Sequence, residues 1–326
     1  MGDNSLCPLT TVPFSNTIPT KIFSDVVAFG VGPDSFRTFA IKSDRSLWGW
    51  GWTKGGLGLP EASLLLSCDP RRILDNVEQV AMGSEHTLAL VRSDPVTNGG
   101  KALQLMGWGS NECWQLGDYD LGNQTTPVPI NPWKDGKNAD DSIRNDPSIV
   151  KVAAAGIASF ALMKDGTIWG WGDLSDSVVC DPWRWGDPED PEARRLEGMD
   201  NVKDISAGPI GVLALRADGT LWGNYWNTGT SFKAEKFIRT KHDAWAFILD
   251  NVQEMSAGSY HGIALKKDGK VWAWGNNGSG QLGRVAKSIH TTPVQVMFPP
   301  PEETVIQLKK FREKMKAGKE PFDCIE

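Results

Sequence analysis

The sequence is poor in the residues that usually indicate metal or redox chemistry. Its 326 residues include five cysteines and four histidines. The cysteines form no Cys-x-x-Cys pair and have no histidine at zinc-ligand spacing, and no His-x-His or His-Glu-x-x-His motif occurs. Because the cysteines are odd in number and far apart, we expect isolated reduced thiols. The sequence therefore predicts no metal site and no cofactor.

Basic charge and long apolar runs are also scarce. The 34 Lys and Arg are outnumbered by 40 Asp and Glu, which gives a formal net charge of −6. Binding to nucleic acid needs a basic face, so this balance argues against a nucleic-acid partner. No run of about 18 apolar residues could span a membrane, and no signal peptide is visible. We expect a cytoplasmic or other intracellular protein with no membrane contact.

Glycine and tryptophan, in contrast, are abundant, with 35 and 15 copies. They indicate many tight turns and large rigid apolar anchors. One glycine position recurs along the chain with separations of 51, 73, 52 and 50 residues, and a period near fifty is typical of a repeat architecture. The recurring glycines are Gly32, Gly83, Gly156, Gly208 and Gly258.

Each copy of the repeat predicts three antiparallel strands. The second strand places an alanine between two large residues, as in residues 39–41, so the large side chains share one face and alanine takes the other. The third strand alternates Trp with Gly, as in residues 169–172. Asp-Gly turns join these strands in three copies, and we expect positive φ at both turn residues. Six repeat positions are predicted to be structural: His86, His261, Trp50, Trp108, Trp171 and Trp274.

A single sheet of three or four strands cannot bury both of its faces, but stacking such sheets around an axis does so. The sequence therefore predicts an all-β fold, a β-propeller of about 50-residue repeats with five detectable blades and up to seven. We expect a lead-in over residues 1–16, the propeller over 17–298 and a C-terminal helical tail over 299–326. Within that tail, residues 302–317 have the spacing of a short amphipathic helix docked on the array.

Three segments carry a pattern more specific than a Trp-Gly pair. Residues 258–283 have the sequence GSYHGIALKKDGKVWAWGNNGSGQLG, residues 83–90 have GSEHTLAL, and residues 108–117 have WGSNECWQLG. This compound motif resembles the repeat of the regulator of chromosome condensation superfamily. The resemblance covers about residues 17–297 and implies a propeller, usually of seven blades.

The resemblance implies several different activities. Members of that superfamily include nucleotide exchange factors for a Ran-type GTPase, chromatin-binding proteins, light sensors that use tryptophans, and an inhibitor that docks on a bacterial enzyme. A shared fold does not choose between such functions.

The spacers between copies vary in length and charge, and variable loops on a constant scaffold commonly carry binding. Residues 131–147 are an Asp/Asn-rich insertion, residues 173–190 are acidic, and residues 227–242 are basic. We predict partner contacts at eight positions: Trp133, Asp173, Asp176, Trp183, Trp185, Trp226, Lys233 and Lys236.

No catalytic residue is predicted, so the first hypothesis is a non-enzymatic propeller scaffold that binds a protein partner through its rim loops. The first alternative is a guanine-nucleotide exchange factor for a small GTPase, with the insertion at 131–147 as the wedge. This role would involve nucleotide exchange rather than covalent chemistry. The second alternative is a carbohydrate-binding propeller, in which Trp183, Trp185 and Trp226 stack on sugar rings.

Overall fold

A computed structural model of the chain describes residues 21, 23–31, 36–52, 56–60, 66–92, 103–118, 120–133, 148–174, 193–209, 211–225, 245–283 and 289–296. Within these ranges the regular structure consists of twenty β-strands and no helix. The predicted lead-in (1–16), tail (299–326) and helix (302–317) lie outside the described residues.

The strands form five four-stranded antiparallel sheets, each with its strands in sequence order. We number these sheets as blades one to five along the chain. Blade one contains β1 (Val26–Val31), β2 (Arg37–Lys42), β3 (Leu47–Trp52) and β4 (Leu66–Leu74). Blade two contains β5 (Val77–Met82), β6 (His86–Arg92), β7 (Leu103–Gly109) and β8 (Gln124–Pro129). Blade three contains β9 (Ile149–Ala155), β10 (Ala158–Met163), β11 (Ile168–Gly172) and β12 (Arg194–Arg195).

The last two blades follow the same plan. Blade four contains β13 (Val202–Gly208), β14 (Gly211–Arg216), β15 (Leu221–Tyr225) and β16 (Ala246–Leu249). Blade five contains β17 (Val252–Ala257), β18 (His261–Lys266), β19 (Val271–Gly275) and β20 (His290–Gln295). The predicted all-β repeat propeller with five detectable blades is confirmed.

Packing between consecutive blades explains the alanine in every second strand. Phe39 and Ile41 of blade one lie in one buried cluster with Ala89 and Trp108 of blade two. The rings of Phe39 and Trp108 meet edge to face, with centroids 6.1 Å apart. Alanine leaves the room that the large pair of the preceding blade fills.

The same arrangement joins the other neighbours along the chain. Each of the three remaining apolar clusters combines the large pair of one blade with the alanine of the next, at blades two and three, three and four, and four and five. Burial of a tryptophan such as Trp171 removes about 150–250 Å² from water, which corresponds to several kcal/mol of gross stabilisation at about 25 cal/mol per Å².

The hairpin turns between second and third strands differ from the prediction in one respect. The turn glycines have positive φ, 83° at Gly166, 87° at Gly219 and 81° at Gly269, whereas the preceding aspartates do not. The expectation of positive φ at both residues is wrong. Asp165 Oδ1 accepts the N–H of Thr167 at 2.9 Å, and this Asx turn closes with the aspartate in the ordinary φ range.

The turn glycines also hold the first strand of the next blade. The N–H of Val202 in blade four donates to Gly166 O in blade three at 3.1 Å, and the N–H of Val252 in blade five donates to Gly219 O in blade four at 2.9 Å. Adjacent blades are thus joined by backbone hydrogen bonds as well as by apolar packing.

One cysteine departs from the sequence expectation. Cys113, which is buried in the loop after β7, is disulfide-bonded. The expectation of isolated thiols is wrong at this position, because separation along the chain does not measure separation between segments that fold together.

The turn contacts predict a difference between two otherwise similar substitutions. Gly269→Ala should lower the free energy of unfolding by about 1 kcal/mol, because alanine is strained at positive φ. Gly166→Ala should cost at least about 1 kcal/mol more, since its Cβ would lie 3.0 Å from Asn201 Cα. Urea unfolding of both variants at one protein concentration measures this, and equal losses would contradict the inter-blade contact.

Candidate functional site

The repeat tryptophans and hydroxyls tie each blade to the one before it. Trp171 Nε1–H donates to Gln115 O at 3.0 Å, and Ser159 Oγ–H donates to the same carbonyl at 2.7 Å. One blade earlier, Gly56 O accepts from Trp108 Nε1–H and from the Thr87 hydroxyl, both at 2.8 Å. In each case the donors belong to one blade, and the accepting carbonyl lies in the loop between the third and fourth strands of the preceding blade. These tryptophans therefore hold neighbouring blades together.

His86 occupies the first position of its second strand and reaches into the next blade. Its Nε2 lies 2.9 Å from Ser159 Oγ. Because the Ser159 hydroxyl hydrogen goes to Gln115 O, Nε2 must carry the imidazole hydrogen, and Nδ1 is the unprotonated nitrogen. Burial, and then the charge of Arg37, lowers the pKa of His86 to about 3. A neutral, buried imidazole of this kind joins two blades.

Arg37 takes the corresponding first position in blade one. Its Nη2 donates to Gly83 O at 3.0 Å and to Ser84 O at 3.1 Å in blade two. Burial lowers the pKa of Arg37 to about 10, and the carboxylate of Glu85 acts in the opposite direction. The guanidinium is therefore held by backbone carbonyls of the neighbouring blade.

The remaining predicted structural positions lie at the two end blades. His261 is half-buried, and desolvation lowers its pKa. Trp274 is buried against blade four. Trp50 is half-buried, with the Phe23 ring centroid 6.4 Å from its own.

Sheet register shows where the charged spacers begin. Ala158 pairs with Gly172, the last residue of β11, and Gly211 pairs with Tyr225, the last residue of β15. These two blades share one apolar cluster. The acidic spacer after β11 and the basic spacer after β15 therefore start at the same end of neighbouring sheets.

The ends of both spacers, and the start of the insertion, meet at the short outer strand β12. The N–H of Ala193, just after the acidic spacer, donates to Pro132 O at 3.0 Å, at the start of the insertion. Trp245 Nε1–H, just after the basic spacer, donates to Glu197 O at 3.1 Å. We define the β12 surface as Pro132, residues 193–197 and Trp245.

Strand β12 presents charge outwards on a buried base. Ala193 and Leu196 are buried, whereas Arg195 is exposed and its Nη2 lies 2.6 Å from Asp200 Oδ1. An exposed ion pair contributes only about 0–1 kcal/mol. A charged group of a partner can therefore replace either member at small cost.

Trp133 does not lie on that surface. Its side chain is buried, and its ring centroid is 5.7 Å from that of Trp171 and 6.3 Å from that of Trp169. A side chain without exposed surface cannot make the partner contact that we predicted for it. The ring instead anchors the start of the insertion between blades two and three.

The other predicted contacts are only partly within the described residues. Asp173 is half-buried directly after β11, and its N–H donates to Ile157 O at 3.2 Å. The rest lie outside the described residues: Asp176, Trp183, Trp185, Trp226, Lys233 and Lys236.

The sequence analysis missed Trp245 and Pro132 because neither belongs to the repeat. Trp245 stands just before β16, a short strand whose first two residues are exposed. The signal that was available is that a tryptophan outside the repeat positions needs a separate packing partner, here the carbonyl of Glu197.

Two further searches cover the part of the chain that the structure describes. There, no group of three or more His, Cys, Asp or Glu side chains is placed to hold a metal ion. None of the described segments forms a helix long and apolar enough to cross a membrane.

Five antiparallel four-stranded sheets, packed one on the next by a repeated Trp and Ala face, define a repeat β-propeller protein. Residues 252–281 and residues 268–308 match two family models, both described as the regulator of chromosome condensation (RCC1) repeat. Residues 252–308 thus carry the regulator of chromosome condensation repeat, and the five-blade fold is like that of the propellers built from this repeat.

Three relatives have similar sequences. The chain is 30% identical over 165 residues to "RCC1 domain-containing protein RUG3, mitochondrial" of Arabidopsis thaliana. The matched region covers 49% of this chain and 32% of the relative. It is 28% identical over 300 residues to the Arabidopsis "Ultraviolet-B receptor UVR8", and the match covers 86% of this chain and 60% of the relative. It is 26% identical over 164 residues to a mouse "RCC1-like G exchanging factor-like protein", and the match covers 50% of this chain and 31% of the relative. The chain thus spans less than two thirds of each relative.

Two solved structures share the fold. Human WBSCR16 superposes with a TM-score of 0.64 at 19% identity, covering 84% of this chain and 67% of that one. Prp20p of Saccharomyces cerevisiae, described with its binding to Gsp1p and histones, superposes with a TM-score of 0.60 at 20% identity, covering 84% and 64%. Both likenesses concern the propeller architecture.

The buried imidazole predicts a pH dependence of stability. The ordinary pKa of histidine is about 6.5, and folding lowers that of His86 to about 3. Above pH 6.5 the imidazole is neutral in both states. Below it the unfolded chain binds a proton that the folded chain excludes, so the free energy of unfolding should fall by up to about 1.4 kcal/mol per pH unit.

Urea unfolding between pH 7 and 5 of the wild type and of His86→Gln measures this slope. The variant starts less stable, but it should lose less stability on acidification over that window. If the unfolding free energy of the wild type and of the variant changed equally with pH, the pKa of His86 would be the same in the folded and unfolded chain, and the prediction would be wrong.

Proposed function

We propose that this protein is a non-enzymatic propeller scaffold that binds a protein partner through the β12 surface and the three spacers around it. The observation that carries the proposal is the pair of contacts at Ala193–Pro132 and Trp245–Glu197, which bring the flanks of three variable segments to one short strand. Variable loops on a rigid frame are the usual location of recognition.

The chemistry around this surface supports a partner with mixed charge. Residues 173–190 are rich in carboxylates, residues 227–242 are rich in Lys and Arg, and their flanks meet at β12 together with the exposed Arg195–Asp200 pair. Complementary charges at an interface favour specificity and rapid association more than affinity. The buried blades beneath keep the flanks in place, which lowers the ordering cost of binding.

Named properties of relatives give further support. One relative is an ultraviolet-B receptor, and the solved structure of Prp20p is described with its binding to Gsp1p and histones. The binding described for Prp20p supports a protein partner for a propeller of this fold. An intracellular location also remains our proposal for this chain, and one relative is named as mitochondrial.

Replacement of residues 175–190 by a short Gly/Ser loop tests the binding surface. The segment leaves Asp173 and the buried Leu174 in place, so the blade should stay folded. We expect a partner captured from the native source by the wild type to be retained at least about tenfold less by the variant.

The matched control replaces residues 94–99, in the loop between β6 and β7, which leaves from the opposite end of a sheet. This variant should retain the partner. Equal capture by the wild type and the 175–190 variant would remove the acidic spacer from the interface.

A second function, guanine-nucleotide exchange on a small GTPase, is favoured by the mouse relative named as an exchanging-factor-like protein and by the binding to Gsp1p described for Prp20p. In this chain the insertion is the candidate wedge, because both of its flanks are fixed. Trp133 is buried at its start, and Ser148, just after its end, accepts the N–H of Lys164 at its carbonyl oxygen at 2.8 Å.

Release of a fluorescent guanine nucleotide from a panel of small GTPases tests this role. An exchange factor should accelerate release at micromolar protein, and replacement of residues 135–146 by Gly/Ser should abolish the acceleration while leaving the fold intact. Acceleration that survives this replacement would exclude the insertion as the wedge, and no acceleration by the wild type would exclude exchange on the GTPases in that panel.

A further inference from the structure

Three kinds of hydrogen bond join consecutive blades at the end from which the spacers leave, which we call the spacer end. The first residue of the second strand reaches into the next blade, as Arg37 and His86 do. The second residue of that strand and the second tryptophan of the third strand donate to a carbonyl of the preceding blade, as Ser159 and Trp171 do at Gln115 O. The joint between blades one and two and the joint between blades two and three contain all three kinds.

The joint between blades three and four lacks these three hydrogen bonds because the residues at the three positions differ. Ala158 is the first residue of β10 and has no polar side-chain atom. In blade four Val212 pairs with Asn224, in the register in which Ser159 pairs with Trp171 in blade three. Valine thus replaces the hydroxyl donor, and asparagine replaces the indole donor.

Asn224 shows what this replacement costs. Its side chain is 4% exposed, and its amide nitrogen has no hydrogen-bond partner. A buried donor without an acceptor destabilises the closed joint, whereas water could satisfy the same donor when the joint opens. Asn111, which is 5% exposed, instead donates from its amide nitrogen to the carbonyl oxygens of Asp118, at 2.8 Å, and of Leu121.

The polar contacts that do cross this joint lie near the turns between second and third strands, which we call the turn end. The N–H of Val202 donates to Gly166 O at 3.1 Å. Lys151 Nζ donates to Asp204 Oδ1. Lys151 lies near the start of β9 and Asp204 near the start of β13, and both strands start at the turn end.

The outer strands add one contact, which also lies towards the turn end. Trp245 Nε1–H donates to Glu197 O at 3.1 Å. Glu197 directly follows Leu196, whose N–H donates to the carbonyl of Ile168, the first residue of β11 after the turn. The polar contacts that join these two blades between described residues are therefore grouped at one end of the joint.

From this asymmetry we infer that the propeller bends at the joint between blades three and four, with the turn end as the pivot. Apolar packing across this joint, as between Phe160 and Val212, is non-directional and tolerates a small rotation. The next joint is held more firmly, since the N–H of Ala257 donates to Ser206 Oγ at 3.0 Å and Trp274 is buried against blade four. Blades one to three then move as one body, and blades four and five as another.

A bend at this joint changes the distance between the two charged spacers. The acidic spacer follows Gly172 of β11 and the basic spacer follows Tyr225 of β15, so they start on opposite sides of the joint. A hinge of this kind couples what binds one spacer to the position of the other. The inference stands whether or not the β12 surface binds a partner, because it rests on contacts within the chain.

Distances between pairs of spin labels on the full chain test the bend. Phe36, Ile157 and Tyr260 have one position in blades one, three and five, since the carbonyl of each accepts the N–H that follows the Trp-Gly pair of the third strand. A ketone-bearing amino acid at two of these sites, coupled to nitroxides, leaves the five cysteines unchanged. Each pair spans two joints, and only the pair 157–260 spans the joint between blades three and four. Pulsed electron double resonance should give a distance distribution at least about twofold broader for 157–260 than for 36–157.

Asn224→Leu tests the cause of the bend, because leucine removes the amide while nearly keeping the shape of the side chain. The closed joint should then be favoured, so the 157–260 distribution should narrow by about half, and the free energy of unfolding in urea should not fall. Asn111→Leu is the matched control at a buried asparagine whose amide is bonded. It should lower the free energy of unfolding and leave the width of the 157–260 distribution unchanged.

Three outcomes would overturn the inference. Equal widths for the two label pairs would show that this joint is as firmly held as the others. A broad 157–260 distribution that Asn224→Leu leaves unchanged would place the motion at another joint. An Asn224→Leu variant that is less stable than the wild type would show that the amide contributes to the closed joint instead of opposing it.

Discussion

The packing of one blade's large residue pair on the alanine and tryptophan of the next blade is the interaction on which the rest of the structure depends. A four-stranded sheet of this size has two faces to cover, and no blade can cover its own. Four apolar clusters cover these faces, and each cluster contains residues of two consecutive blades. The turn glycines reinforce the same contact, because the carbonyls of Gly166 and Gly219 accept backbone N–H groups from the next blade.

Buried polar groups add selectivity to this apolar contact. Apolar faces alone would tolerate small slips between sheets, whereas a buried donor without its acceptor costs about 1–3 kcal/mol. Arg37 and His86 each reach across one interface to a defined atom. Because the imidazole must stay neutral and the guanidinium must find backbone carbonyls, only one register of neighbouring blades satisfies both.

Much of the fold could be predicted from the sequence because the repeat multiplies weak signals. A single Phe39-Ala40-Ile41 alternation says little, but five copies at one period indicate stacked sheets, and the structure confirms them. The turn prediction was only half right, since the side chain of Asp165 takes over a hydrogen bond that the Asp-Gly rule does not consider.

The candidate site was less predictable because it depends on contacts between segments that share no pattern. Composition identified the charged spacers, but only the fold shows that Pro132 and Trp245 lie beside the same strand. Trp133 was assigned to the surface because it stands outside the repeat, although it packs on two tryptophans of the next blade. A tryptophan outside a repeat can thus serve the core as well as a partner.

The position of a blade in the array also has a consequence for motion. Blade three is covered on both sides, whereas the end blades each have one neighbour among the described residues. In a linear array of this kind, local opening starts at an end and proceeds inwards. Amide hydrogens of β10 should therefore be the last to exchange with solvent, and those of β2 and β18 among the first strands to do so. The molecule can then lose the order of an end blade while its centre stays folded.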